Sequence, residues 1–115
     1  MAENCLFCRI ANGEIPSDIV YQDDKLFAFK DINPQAPTHI LIVPKAHISS
    51  LVELSDHQEK LMGCLIIAAK KIADQEGLAK NGYRLVINCG SEGGQVVSHL
   101  HLHLIGGRKL SGKIG

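Results

Sequence analysis

The 115-residue chain has no excess of charge of either sign: twelve Lys and Arg offset twelve Asp and Glu, and the sequence pI is about 7.0. General affinity for nucleic acid or an acidic membrane surface needs a basic patch, so neither partner is expected. No apolar run is long enough to span a bilayer. Met1-Ala2-Glu3-Asn4 is polar rather than signal-like, which makes the cytoplasm the expected location. No composition break and no internal repeat divides the chain. Residues 1–115 are therefore expected to form one domain with a mobile, polar, glycine-containing tail over about 109–115. Hydrophobic residues at 45% and charged residues at 21% suit a globular domain with a modest core. Four cysteines could suggest disulfides, but in a cytoplasmic chain thiols or metal ligands are expected instead. Cys64, in a helical segment, and Cys89, at the end of an apolar strand, read as small buried hydrophobes. Cys5-x-x-Cys8 has zinc-knuckle spacing but supplies only two of the four ligands a tetrahedral site needs, leaving histidines elsewhere to complete it.

Against this plain background stands His99-Leu100-His101-Leu102-His103-Leu104, half of the six histidines within five positions. On a strand, residues two apart share a face about 7 Å apart. The imidazoles would line one face and the leucines pack on the other, whereas a helix would scatter both. Imidazole titrates near neutrality and serves proton transfer, nucleophilic attack or metal binding. The plainer alternative is a solvated strand face, but Asn, Thr or Lys would serve such a face equally well. Gly90-Ser91-Glu92-Gly93-Gly94-Gln95 precedes the run and Gly106-Gly107-Arg108 follows it. Glycine turns let backbone N–H groups approach an anion, and beside imidazoles this favours phosphoryl recognition over turns made for steric reasons alone.

The remaining elements are simpler. Leu6 to Ala11 reads as a short helix ended by Asn12-Gly13. Asp18 to Gln22, Lys25 to Lys30, His39 to Val43 (stopped by Pro44), Tyr83 to Cys89 and Ser98 to Ile105 read as five strands. Ser55 to Glu76 is the main helix: Ser55 and Gln58 have the form of a capping box, Leu61, Leu65, Ala68 and Ile72 make an apolar stripe, and Gly77 ends it. The expected architecture is α+β, a five-stranded, largely antiparallel sheet with one long and one short helix.

The segment Gly94-Gln95-Val96-Val97-Ser98-His99-Leu100-His101-Leu102-His103-Leu104 resembles the signature of the histidine triad (HIT) superfamily. The Gly-Gly-Arg after it and Asp31-Ile32-Asn33-Pro34-Gln35-Ala36-Pro37-Thr38-His39 are similar to its Hint branch, the nucleoside phosphoramidate hydrolases. The likeness runs from about Cys5 to Arg108. It implies a HIT-like fold, a homodimer joined into one ten-stranded sheet, and hydrolysis of the P–N bond of a purine nucleoside 5′-phosphoramidate (an AMP-amine or AMP-lysine compound). The middle histidine, His101, would be the nucleophile, passing through a nucleotidyl-histidine and releasing the nucleoside monophosphate without a catalytic metal. His103 would donate to a phosphate oxygen, His99 would orient the site or bind metal, and His39 would join the hydrogen-bond relay. Read alone, His39 is an ordinary strand histidine. For the nucleotide, the resemblance implies Asp31 at the ribose hydroxyls, Ile32 against the base, Asn88 near ribose and phosphate, and Gly94, Gln95 and Val96 beside the phosphate with His101 and His103. Without it, Asp31 is a turn residue and Asn88 a strand-end cap.

Two further expectations follow. Cys-x-x-Cys members of the superfamily bind a structural zinc, which here would fall to Cys5, Cys8, His47 and His99, against the alternative of two buried thiols and an exposed His47. Where many relatives carry Ser after Gly-Gln, this chain has Val96, so side-chain help to the leaving amine is absent and a slower turnover or shifted leaving-group preference is expected. His57 reads as surface. The competing functions are a dinucleoside polyphosphate hydrolase sharing the triad, a nucleotide-binding adaptor with vestigial catalysis, and a zinc enzyme using His-x-His as ligands.

Overall fold

Phe27 and Phe29 on one strand and Leu41 and Val43 on its neighbour point to one side of a sheet, while Leu26, Ala28, Ile40 and Ile42 between them point to the other. A computed structural model describes residues 4–114. Met1 to Glu3 and the last residue of the 109–115 tail lie outside the described residues. The elements are α1 (Leu6–Ala11), β1 (Ile19–Gln22), β2 (Leu26–Lys30), β3 (Thr38–Pro44), α2 (Glu59–Gln75), β4 (Tyr83–Val86) and β5 (Leu102–Gly106). The strands form one sheet in the order β1-β2-β3-β5-β4, every neighbouring pair antiparallel. The α+β expectation of five strands with one long and one short helix holds.

The sheet is covered on both faces, which is why Leu26–Phe29 of β2 and Ile40–Pro44 of β3 are unbroken buried apolar runs rather than alternating with polar residues. On one face Leu65, Ala68, Ala69, Ile72 and Ala73 of α2 pack on Leu26, Ile40, Ile42, Leu102 and Leu104. On the other, Phe7 and Ile10 of α1 pack with Cys5 and Cys8 on Phe27, Phe29, Leu41 and Val43. Burying a side chain the size of Phe7 or Ile10 contributes about 1.5–3 kcal/mol, enough to hold a six-residue helix that would be marginal alone.

The expected main helix starts differently. The Ser55–Gln58 capping box is present, with Ser55 N–H donating to Gln58 Oε1 at 2.9 Å, but it opens a single 3-10 turn, Asp56–Gln58, before α2 begins at Glu59. A second 3-10 turn, Leu51–Glu53, precedes it. At the far end Gly77, at φ +76°, lets its own N–H reach Asp74 and that of buried Leu78 reach Ala73.

Two strands are shorter than expected by more than a single residue. β4 ends at Val86 rather than Cys89, and β5 begins at Leu102 rather than Ser98. The cross-strand pairs stop at Ile42–Leu102 and Val86–His103. Beyond them the chain before β5 leaves the sheet, and Leu100 N–H donates to the Ile48 carbonyl at 2.6 Å. His99 to His101 are thus free of the ladder, yet alternation survives: Leu100, Leu102 and Leu104 are buried on one side and the imidazoles turn to the other, beside Phe7. Cys64 and Cys89 are half-buried rather than buried, because Cys64 lies at the margin of the α2 core and Cys89 lies in the loop beyond β4. The described residues after Arg108, 109–114, carry no strand or helix, and Arg84 Nη2 of β4 holds them through the Ser111 carbonyl at 2.5 Å.

Candidate active site

The triad sits at one end of the sheet, on the face covered by α1. His101 is 6% exposed, and its Nδ1 lies 2.7 Å from the carbonyl oxygen of its near neighbour His99. A carbonyl only accepts, so Nδ1 carries the proton and Nε2 keeps its lone pair. The ladder truncation explains how: the His99 carbonyl is satisfied by an imidazole instead of a neighbouring strand. Burial, the dominant cause, holds His101 below the ordinary imidazole value despite the His99 hydrogen bond and the Asp31 charge, which act the other way. His101 is therefore neutral at pH 7 with one bare nitrogen. Phe7 meets its ring edge-on at 5.0 Å between centroids.

A second chain of bonds sets His103. Gln35 N–H donates to His39 Nδ1 at 3.0 Å. In its neutral form His39 must then carry its proton on Nε2, which lies 2.9 Å from His103 Nδ1. His103 accepts there and so presents Nε2–H outward as a donor. Burial first, then the neighbouring His101 and His39, push His103 down to about 4, so it donates as a neutral imidazole. Asp31 Oδ2 stands 3.6 Å from His39 Nε2, while Oδ1 accepts from Asn33 N–H at 2.8 Å in a turn.

These groups open onto a cleft of about 510 Å³. Its apolar wall includes Phe7, Ile10, Ile15, Phe29 and Leu41, and its polar side includes Asp31, Asn88, Gly94, His39, His101 and His103. Ile32 and Val96 stand on the rim, 88% and 91% exposed. The glycine loop is braced from beneath: Asn88 Nδ2 donates to the Gly93 carbonyl at 2.7 Å, and a Cβ on Gly93 would lie 2.3 Å from the Cys89 carbonyl oxygen. Gln95 differs from the other expected nucleotide residues, since its side chain is absent from the cleft lining. Its amide donates to the Ser49 and Val97 carbonyls and accepts from Gly90 N–H, locking the loop. A larger depression of about 750 Å³ at the end of α2 and β4 contains none of the triad.

Cys5, Cys8, His47 and His99 come together, their ligand atoms all within 4.8 Å of one another. Cys5 Sγ is 3.1 Å and Cys8 Sγ 3.6 Å from His99 Nδ1, and Cys8 Sγ is 3.5 Å from His47 Nδ1. Tetrahedral zinc with Zn–S of about 2.3 Å and Zn–N of about 2.0–2.1 Å calls for S···N edges of about 3.6 Å, which these approach. His99 Nε2 lies 2.8 Å from the Pro44 carbonyl, so the ring donates there and turns its Nδ1 lone pair into the cluster. Burial, aided by Cys5, raises the Cys8 thiol to about 11, the protonated state that a dication at the cluster would reverse. His47 is exposed, as one alternative had it, yet within reach of Cys8. Asp31, His39 and His103 also converge. There the second nitrogen of His39 already accepts an N–H, whereas a metal-bound imidazole donates from that nitrogen, so this set is built for a proton. His57 is on the surface, against Ser55.

Two contributors were not foreseen from sequence, the backbone N–H of Gln35 and the ring of Phe7. A main-chain donor has no residue signature, and Phe7 reads as one more apolar helix residue.

Comparison with known proteins agrees with this geometry. The chain is 54% identical over 110 residues, 96% of its length and 92% of the relative's, to the purine nucleoside phosphoramidase of Escherichia coli strain K12. A HIT family hydrolase from Legionella pneumophila superposes with a TM-score of 0.96 at 53% identity, covering 97% of this chain and all of the other (100%). A zinc-bound histidine triad family protein from Mycobacterium smegmatis gives 0.80 at 30% identity, covering 94% and 78%. The HIT domain model matches residues 12–110, and the chain belongs to the HIT family.

Proposed function

We propose that this protein is a purine nucleoside phosphoramidate hydrolase that cleaves the P–N bond of an AMP-amine type substrate through a nucleotidyl intermediate on His101. The observation that carries the reading is the 2.7 Å contact of His101 Nδ1 with the His99 carbonyl, which leaves Nε2 of this buried ring unprotonated. That the E. coli relative is a purine nucleoside phosphoramidase supports the substrate class.

In the first step the Nε2 lone pair attacks the α-phosphorus, the P–N bond breaks, and the departing amine takes a proton from solvent. The phosphorylated ring is cationic, and its Nδ1–H stays on the His99 carbonyl, which stabilises that charge. His103 Nε2–H donates to a non-bridging oxygen as charge builds on it. Water then attacks phosphorus, the P–Nε2 bond breaks, a water proton is released, and nucleoside monophosphate leaves. Asp31 takes the ribose hydroxyls, Ile32 and the apolar wall take the base, and Asn88 and the backbone of residues 94–96 face the phosphate side.

Cys5, Cys8, His47 and His99 would hold a structural zinc that ties the N-terminal segment to the triad segment, with no part in bond-making. We further propose a homodimer. β4 is an edge strand paired only with β5, and Ile66 and Ile67 of α2 are 43% and 51% exposed. Pairing of two β4 edges would give a ten-stranded sheet, and sedimentation velocity should return twice the chain mass.

The test is AMP release from adenosine 5′-phosphoramidate by the wild type and His101→Ala, with a chelator in parallel. Acid quenching and peptide mass spectrometry would locate the adduct. Release by the wild type alone, insensitive to chelator and with adenylylated His101, is expected. Release by His101→Ala would overturn the mechanism. No release by either, with cleavage of a dinucleoside polyphosphate instead, would overturn the substrate.

A further inference from the structure

The loop from Asp31 to His39 is closed at its base, where Asp31 N–H donates to the His39 carbonyl at 2.9 Å. Its tip carries the Gln35 N–H on which the orientation of His39, and through it His103, depends. Two contacts hold that tip from the far end of the chain. Arg108 Nη2 donates to the Gln35 carbonyl at 2.8 Å, a contact 73 residues apart in sequence. Gly107, at φ +95°, lies flat against the loop, and a Cβ there would stand 2.9 Å from Pro37 Cβ. The guanidinium is further fixed by the Lys109 carbonyl at 3.1 Å.

We propose that Arg108, with Gly107, is a positioning residue for catalysis: the pair clamps the Gln35–Pro37 turn so that Gln35 N–H meets His39 Nδ1 and His103 presents Nε2–H to the substrate. Arg108 touches no reacting atom. It is exposed and its side chain points to a backbone carbonyl, so its loss leaves the core intact. Without it the tip is free to leave His39, whose Nδ1 can then take the proton. His39 Nε2 becomes an acceptor facing another acceptor, and His103 must turn its own N–H inward to compensate. The transition state loses a donor while ground-state binding in the cleft is little changed.

The rate readout rests on the hydrolase reading above, and the spectroscopic one does not. Arg108→Ala and Gly107→Ala disturb the tip by different means. Each should lower kcat on adenosine 5′-phosphoramidate by about tenfold, part of the roughly 10²–10³ that complete loss of such a donor costs. KM should stay within about twofold; Arg108→Ala should melt close to the wild type and Gly107→Ala below it, because alanine is strained at φ +95°, and Arg108→Lys should recover part of kcat. Long-range ¹H–¹⁵N correlation spectra of the histidine rings should show Nε2–H on both His39 and His103 in the wild type, and a population of Nδ1–H on His39 in the two alanine variants. Unchanged kcat, or unchanged tautomers with a lowered kcat, would overturn the clamp. If the wild type does not hydrolyse the phosphoramidate, the hydrolase reading fails, and the ring spectra alone still decide the clamp.

Discussion

The carbonyl of His99 accepts the ring proton of His101 at 2.7 Å, while the ring of His99 turns its Nδ1 toward Cys5 at 3.1 Å. One residue thus serves the proposed nucleophile through its main chain and the thiol cluster through its side chain. Anything that anchors the His99 ring also anchors the acceptor that keeps His101 Nε2 bare. The cluster and the triad are separate chemically and joined mechanically.

Zinc removal should therefore lower stability before it lowers chemistry. Metal bound at a hundredfold excess over Kd contributes about 2.7 kcal/mol. Cys8→Ser should lose bound zinc, measured by elemental analysis, and melt several degrees lower, with catalysis at 25 °C largely kept. A variant that keeps full zinc and the wild-type melting temperature would refute the four-ligand set.

Activity should depend on pH through His101. Protonation of Nε2 removes the nucleophile, and burial holds that event below the usual imidazole range. The kcat/KM profile should be flat from pH 8 to about 6.5 and fall only below that. A limb centred above pH 7 would mean that another group is the attacking base.

Stability should fall over the same acidic range. His99, His101 and His103 all have native pKa values below the free imidazole value, His103 at about 4. The unfolded chain gains protons on these rings below about pH 6.5 while the native rings take them up only at lower pH, His103 at about 4, so folding loses free energy as pH drops below about 6.5. Thermal melting at pH 7 and pH 5 should show the lower midpoint at pH 5.

Val96 stands 91% exposed at the cleft rim, and in the proposed reaction only its backbone N–H would be on offer to the leaving amine. Val96→Ser supplies a hydroxyl donor. On poorly leaving alkylamines it should raise kcat by a few-fold, well short of the roughly 10²–10⁴ available to a fully positioned acid. Equal rates for the two proteins across a series of amines would show that residue 96 does not set leaving-group preference.

Asp31→Asn should separate binding from chemistry. The amide keeps the turn bond to Asn33 N–H but loses the anionic acceptor proposed for the ribose hydroxyls. KM for the nucleotide should rise by about tenfold, with a smaller change in kcat. A large fall in kcat at unchanged KM would place Asp31 in the His39 relay instead.

Much of this was legible in the chain. Alternation of histidine and leucine placed the imidazoles opposite the core, and the Leu61–Ile72 stripe marked the buried face of α2. The runs of β1, β2 and β3 read as strands within about a residue of where they lie. What stayed hidden was backbone chemistry. Nothing in Ser98-His99-Leu100-His101 says that the ladder stops at Leu102, because the strand-like pattern persists where the pairing does not. The acceptor for His101 is a carbonyl, and the donor to His39 is an amide at Gln35; every residue has both. Gln95 reads as a ligand-facing amide and proves to be a loop brace, since only the fold shows the Ser49 carbonyl beside it.

The interleaving of leucine and histidine has a consequence for misfolding. With Leu102 and Leu104 under α2 and His101 and His103 across from them, a slip of one residue would carry the imidazoles into the apolar layer and strand the leucines in the cleft. Miswiring the reactive end and losing the core are the same event. A chain that has closed on its helix has, by that act, aimed its chemistry, and a defective register is left to unfold rather than persist as an inert look-alike.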